Sequence, residues 1–169
     1  MSKQPKILFI FAKHGTDTST RFGGFVKRIV NNGGLDYAQA DYVALEDLIF
    51  HIKDDNSARV FDETRGIDLA NYSFVYFKSW QSMPRLAASA AFYLEAQGIP
   101  YEDAQVRYEM IAKTPNYMKM WAQGISVPES LWGSNGAMAK HIGSGSVPYP
   151  VVIESVTGEK GKDNYLAKN

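Results

Sequence analysis

Two stretches constrain this chain most: residues 6–12, KILFIFA, and residues 73–77, SFVYF, each an unbroken apolar run after its first residue. Neither alternates polar with apolar, so a strand built from either must be covered on both faces, as in a parallel sheet flanked by helices. The segments that follow them have helical character. After the first run comes a polar loop, residues 14–20, in which Asp17 or Ser19 caps a helix through about Asn32 that Gly33-Gly34 ends. After the second, Ser82 and Pro84 open a helix to about Gln97, with Leu86, Ala87, Ala90, Ala91 and Leu94 as one small-residue face and Gly98 and Pro100 as its stop. Strand alternating with helix over about a hundred residues predicts an α/β fold with a mainly parallel sheet.

The remaining segments are more varied. Residues 41–45 read as a second strand, and 48–63 as two alternating runs around Asp54-Asp55-Asn56, a hairpin signal. Residues 65–69 read as a connection. In open α/β sheets ligands collect at the carboxyl ends of strands, which marks 14–20 and also Lys78, Ser79 and Trp80 as candidate ligand edges. A polar loop that merely caps a helix accounts for 14–20 equally well, and no G-x-G-x-x-G fingerprint is present. Beyond Tyr101 the rhythm changes. Residues 103–112 look helical, Thr114 and Pro115 restart a helix as cap and first position, and Gly124 ends it. A strand-like ESLW (129–132), a short helix (135–142) and a flexible loop (143–146) follow. A domain boundary near residue 100 divides 1–100 from 101–169.

Composition excludes several classes. Eighteen basic residues balance eighteen acidic ones, so no global field recruits nucleic acid or an anionic membrane. The absence of cysteine removes disulfides, thiol nucleophiles and cysteine-based zinc sites, and fits a reducing compartment. The apolar core of the N-terminal stretch spans only residues 7–12, short of a signal peptide, and no segment reaches the roughly 18 apolar residues of a membrane span. The expectation is a cytoplasmic protein. His14, His51 and His141 are scattered, which speaks against zinc, and neither a G-x-S-x-G elbow nor a G-x-x-x-x-G-K-[ST] loop occurs. Trp80, Trp121 and Trp132 read as core residues rather than cofactor stackers.

One stretch carries a sharper signal: residues 147–164, VPYPVVIESVTGEKGKDN. The run 149–153 reads as a buried strand, and Gly158 and Gly161 bracket Lys160 in the loop after it. A glycine loop can bring backbone N–H groups close to a phosphate because no Cβ intervenes, although a hairpin with a solvated, lysine-rich tip has the same pattern. Upstream stand Lys113 and GISVP (124–128), with Lys113 fifteen residues before Pro128 and the two glycines four and seven after Glu154.

In this combined spacing the chain resembles the ATP-grasp superfamily of carboxylate–amine ligases, in its ribosomal-protein glutamate ligase and glutathione-synthetase-like branch. The resemblance covers essentially the whole chain. It implies a Rossmann-like pre-ATP-grasp domain over 1–100, then the N-terminal part of an ATP-grasp domain over 101–169. It implies that Lys113 contacts nucleotide phosphates and that Gly158, Glu159, Lys160 and Gly161 close over ATP. Implied partners are ATP with Mg2+ and a small carboxylate or peptide, joined to an amine through an acylphosphate. The chain departs from the pattern at Glu154, which stands where the family has a second phosphate-contacting lysine. At about 5 Å and an effective dielectric near 20, one charge–charge interaction is worth about 3 kcal/mol, so the reversed sign weakens nucleotide binding. The family's magnesium ligands would lie past Asn169, where this sequence stops. The expectation is a chain that does not ligate by itself, with a non-catalytic binding domain or degenerate homologue as the alternative.

Overall fold

In a computed structural model the described residues are 5–13, 40–108, 112–155 and 164–168, with positions 24, 28 and 32. The protein is α/β: a parallel sheet, two antiparallel sheets and, among the described residues, three longer helices. The first apolar run forms β1 (Ile7–Phe11), flanked in parallel by β2 (Ala40–Ala44) on one side and β6 (Phe74–Lys78) on the other. A two-residue strand, β7 (Tyr101–Glu102), extends the sheet beside β6, giving the order β2-β1-β6-β7. Leu8, Ile10, Val43, Val75 and Phe77 are buried in the main core, while Phe9 heads a second cluster with Tyr42 and Tyr76 on the other face. Both faces are therefore apolar, as an unbroken run requires. Gly24, Arg28 and Asn32 are helical, in the segment where a helix was expected.

The second sheet is antiparallel, in the order β5-β4-β3-β8. Its centre is the expected hairpin, β3 (Ile49–Ile52) and β4 (Ala58–Asp62), whose turn is closed by Asn56 at φ 59° and by the Ser57 N–H bonded to Asp55. The connection at 65–69 contains a short strand instead, β5 (Ile67–Asp68), because Gly66 at φ +65° turns the chain back against β4. On the other side β8 (Ser130–Gly133) pairs with β3 over four residues. The main core likewise runs across residue 100, joining Leu8, Phe50 and Leu94 to Val106, Met118, Val127 and Trp132.

Helix α1 (Pro84–Ala96) packs against β4, against the short turn at Ala104–Tyr108 and against α2 (Lys113–Ala122). It differs from the expected one-faced helix, since all of residues 87–94 are buried. Four alanines in that stretch let neighbours approach from several sides at once. Met83, not Ser82, is its N-cap: Ser79 adopts a left-handed conformation (φ 54°) and starts a 3-10 turn over Trp80–Ser82 that uses Ser82 up. Gly98 at φ +67° ends α1 as expected, its N–H bonded to Glu95 O and that of Ile99 to Leu94 O.

Of the helix expected over 103–112, Ala104–Tyr108 form a 3-10 turn, and 109–111 lie outside the described residues. The Asp103 carboxylate accepts from Gln105 N and its carbonyl from Val106 N, a tighter winding than an α-helix. Helix α2 starts at Lys113 behind an extended Ala112, so Thr114 is a buried first-turn residue rather than the cap. Pro115 is still accommodated, because the first-turn N–H groups have no intrahelical acceptor to lose. Helix α3 (Asn135–Gly143) is capped by the Ser134 hydroxyl, which accepts from Ala137 N at 3.1 Å.

Gly133, at the end of β8, marks the tightest approach in this region. A Cβ built there would lie 2.7 Å from the backbone oxygen of Leu48. Because the obstacle is main chain, Gly133→Ala should destabilise the protein by about 1–3 kcal/mol, read as a lowered urea midpoint at unchanged m-value.

Candidate functional site

The helix that begins at Lys113 and the hairpin of β9 (Val151–Glu154) and β10 (Asn164–Ala167) together build the candidate site. The hairpin is antiparallel, with Glu154 opposite Asn164 and Val152 opposite Leu166. That pairing puts Glu154 at the end of its strand, beside the first turn of α2. There the Lys113 ammonium donates to Glu154 Oε2 at 2.9 Å, and the Asn164 side-chain amide donates to Glu154 Oε1, also at 2.9 Å.

This arrangement has an electrostatic logic. A lysine in the first turn of a helix faces the positive end of the helix dipole, which a neighbouring anion offsets. Glu154 supplies that anion through Oε2, while its Oε1 accepts from the Asn164 amide. The Lys113 and Glu154 side chains are 39% and 37% exposed. Solvent screening at that exposure limits the pair to about 1 kcal/mol. Chemically, the site is a cation held in place and already matched to a carboxylate.

Lys113 and Glu154 are thus brought together, while Gly158, Glu159, Lys160 and Gly161 lie outside the described residues. The expectation that the run 149–153 is buried is corrected. Val152 is 62% exposed and Ile153 48%, and their cross-strand partners Leu166 and Tyr165 are also exposed, because among the described residues no layer covers this two-stranded sheet. The other ligand edge is partly described. Lys78 ends β6, Ser79 is left-handed, and Trp80 is buried with its indole N–H directed at Asp103 Oδ2 at 3.4 Å; residues 14–20 lie outside the described residues. All three tryptophans serve packing. Trp132 stacks on Phe50 with ring centroids 5.6 Å apart, and Trp121 stacks on Tyr93 and donates to Asn56 O.

Among the described residues no group of three or more His, Asp or Glu side chains is arranged to hold a metal ion. The described histidines sit apart, His51 paired with Glu129 at 2.8 Å and His141 beside Glu63 at 3.1 Å. His141 and Asp62, both buried, went unmarked in the sequence; they stand far apart in the chain and share no motif. No described helix is long and apolar enough to cross a membrane. Comparison of the chain with family models, with curated proteins and with solved structures finds no match.

Proposed function

We propose that this chain carries a degenerate nucleotide lobe of the ATP-grasp type, behind a Rossmann-like pre-ATP-grasp domain, and that it does not itself catalyse ligation. One observation carries the reading. The two residues that the resemblance places at nucleotide phosphates, Lys113 and Glu154, meet at 2.9 Å, with Asn164 completing the contact. In a working site both positions would be cationic, and fixed cations would offset the charge that moves onto the leaving phosphate. Here the carboxylate takes the place at Lys113 that a phosphate oxygen would occupy. ATP must displace Glu154 to reach Lys113, and then meets a negative charge beside its own. The reading places the protein in the cytoplasm, with a nucleotide and a small carboxylate or peptide as the ligands its ancestry handled.

Titration with ATP tests this on three proteins: wild type, Glu154→Gln and Glu154→Lys. Wild type should bind weakly, Glu154→Gln more tightly, and Glu154→Lys more tightly by roughly tenfold or more, since an opposed charge becomes a favourable one. Equal affinities, or no binding by any of the three, would remove the nucleotide reading. Purified wild type should form no ADP in the presence of carboxylates and amines, and substrate-dependent ADP release would overturn the non-catalytic part.

A second reading is a binding domain with its ligand at the carboxyl edge of the parallel sheet. The strand order favours it, because the chain leaves β1 toward β2 on one side and returns to β6 on the other, and the left-handed Ser79 closes β6 at that edge. This reading expects Glu154→Lys to leave ligand binding unchanged.

A further inference from the structure

Between the turn that follows β4 and the last turns of α3 lies a cavity of about 20 Å³, lined by Asp47, Asp62, Glu63, Thr64, Lys140 and His141 among others. It has room for one water-sized group. Two of its lining residues are deeply buried, Asp62 at 2% exposure and His141 at 5%. The first oxygen of Asp62 is committed, since Oδ1 accepts from Thr64 N at 2.9 Å and from Arg65 N at 3.4 Å. Its second oxygen, Oδ2, has no hydrogen-bond partner, and neither has His141 Nδ1. Glu63 Oε2 comes within 3.1 Å of that nitrogen, an ion-pair contact. A buried carboxylate oxygen left unpaired is costly, so a site that keeps one has a use for it.

We infer that this cavity is a binding site for a primary ammonium group. Three carboxylates, Asp47, Asp62 and Glu63, face Lys140 and His141, so the lining favours a cation. The groups do not converge as a metal-binding set. An ammonium needs no such convergence: its N–H bonds spread tetrahedrally and can reach Asp62 Oδ2 and Glu63 separately, with His141 beside them as the reporter. Glu63, Thr64 and Lys140 are exposed, so the cavity opens to solvent on their side and the carbon attached to the ammonium points outward. The ligand chemistry is the same whether a free small amine or a lysine of another polypeptide supplies it.

Long-range proton–nitrogen NMR of the His141 ring tests the site. Methylammonium chloride should shift the His141 nitrogens saturably, while tetramethylammonium chloride and sodium chloride at equal ionic strength should not. Asp62→Asn keeps an oxygen for Thr64 and Arg65 but turns a donor toward the ligand, and should weaken binding roughly tenfold or more. Should Asp62→Asn fail to fold, Glu63→Gln at the exposed rim provides the second comparison, with a smaller loss expected. A blocked tripeptide with a central lysine, set against its acetyl-lysine counterpart, separates the two sources. A response to that peptide marks a polypeptide lysine, and a response to methylammonium alone marks a free amine. No saturable shift with either probe, or an equal shift with tetramethylammonium, overturns the assignment.

Discussion

Phe50→Ala should cost this protein about 3–5 kcal/mol, and the loss should fall on both halves of the chain together. Phe50 is fully buried near the middle of the antiparallel sheet and stacks on Trp132, with an interplanar angle of 7°. It is also paired with Trp132 in the strand register, since β3 and β8 lie side by side. Truncation would remove the ring's own burial and leave the indole without its stacking partner. The packing around it includes the 0%-exposed Ile52 on the same strand and Leu48 just before it, and it can collapse only in part. Because this contact joins residue 50 to residue 132, tryptophan fluorescence and far-ultraviolet circular dichroism should report one shared urea transition, moved to lower denaturant. Two separate transitions, with only the one seen by tryptophan displaced, would show that the region after residue 100 unfolds independently of β3.

The sequence made some of this visible, and the difference lies in the range of the interactions. Residues 6–12 and 73–77 could be read as strands because, past the opening Lys6 and Ser73, coverage on both faces leaves the run apolar. Asp54-Asp55-Asn56 and Gly98 could be read because turns and helix ends are decided by a few neighbouring residues. The burial of α1 on every side was hidden. Its 87, 90, 91 and 94 positions announce one apolar face, whereas Ala88, Ser89, Phe92 and Tyr93 are covered by elements distant in the chain. The pairing of β8 with β3 was hidden for the same reason, since local pattern gives a strand but not its neighbour. At the candidate site, the spacing around Lys113 and Glu154 marked both positions. Their direct contact follows from where α2 and the hairpin meet, which no spacing encodes. The His141–Asp62 cavity left no trace in the sequence, because an isolated histidine and a turn aspartate are each ordinary until the fold sets them together.

Alkaline pH should weaken the fold through Tyr93 by about 3 kcal/mol, nearly all of it between pH 10 and about 12. Burial pushes the Tyr93 hydroxyl up to about 12 from its usual 10, and the charge of Asp68 adds to the effect while Arg59 opposes it. The sign follows from proton counting. Below pH 10 the folded and unfolded chains both hold the phenolic proton, so the stabilisation is fully present. As pH rises from there, the unfolded chain releases its proton while the folded chain keeps it. Stability therefore falls until the folded hydroxyl also ionises. Tyr72 acts in the same direction: burial comes first, and the hydrogen bond it donates to Asp41 at 2.8 Å then adds its share. The two differ in their remedy. Tyr93→Phe removes an ionisable group that lies stacked on Trp121, and should flatten the alkaline slope with little change at neutral pH. Tyr72→Phe also deletes the bond to Asp41 and should lower stability at neutral pH by about 1 kcal/mol. Urea unfolding at a series of pH values, with tyrosinate absorbance followed in parallel, measures both. An alkaline slope unchanged in Tyr93→Phe would mean that residue 93 is not the group being held neutral.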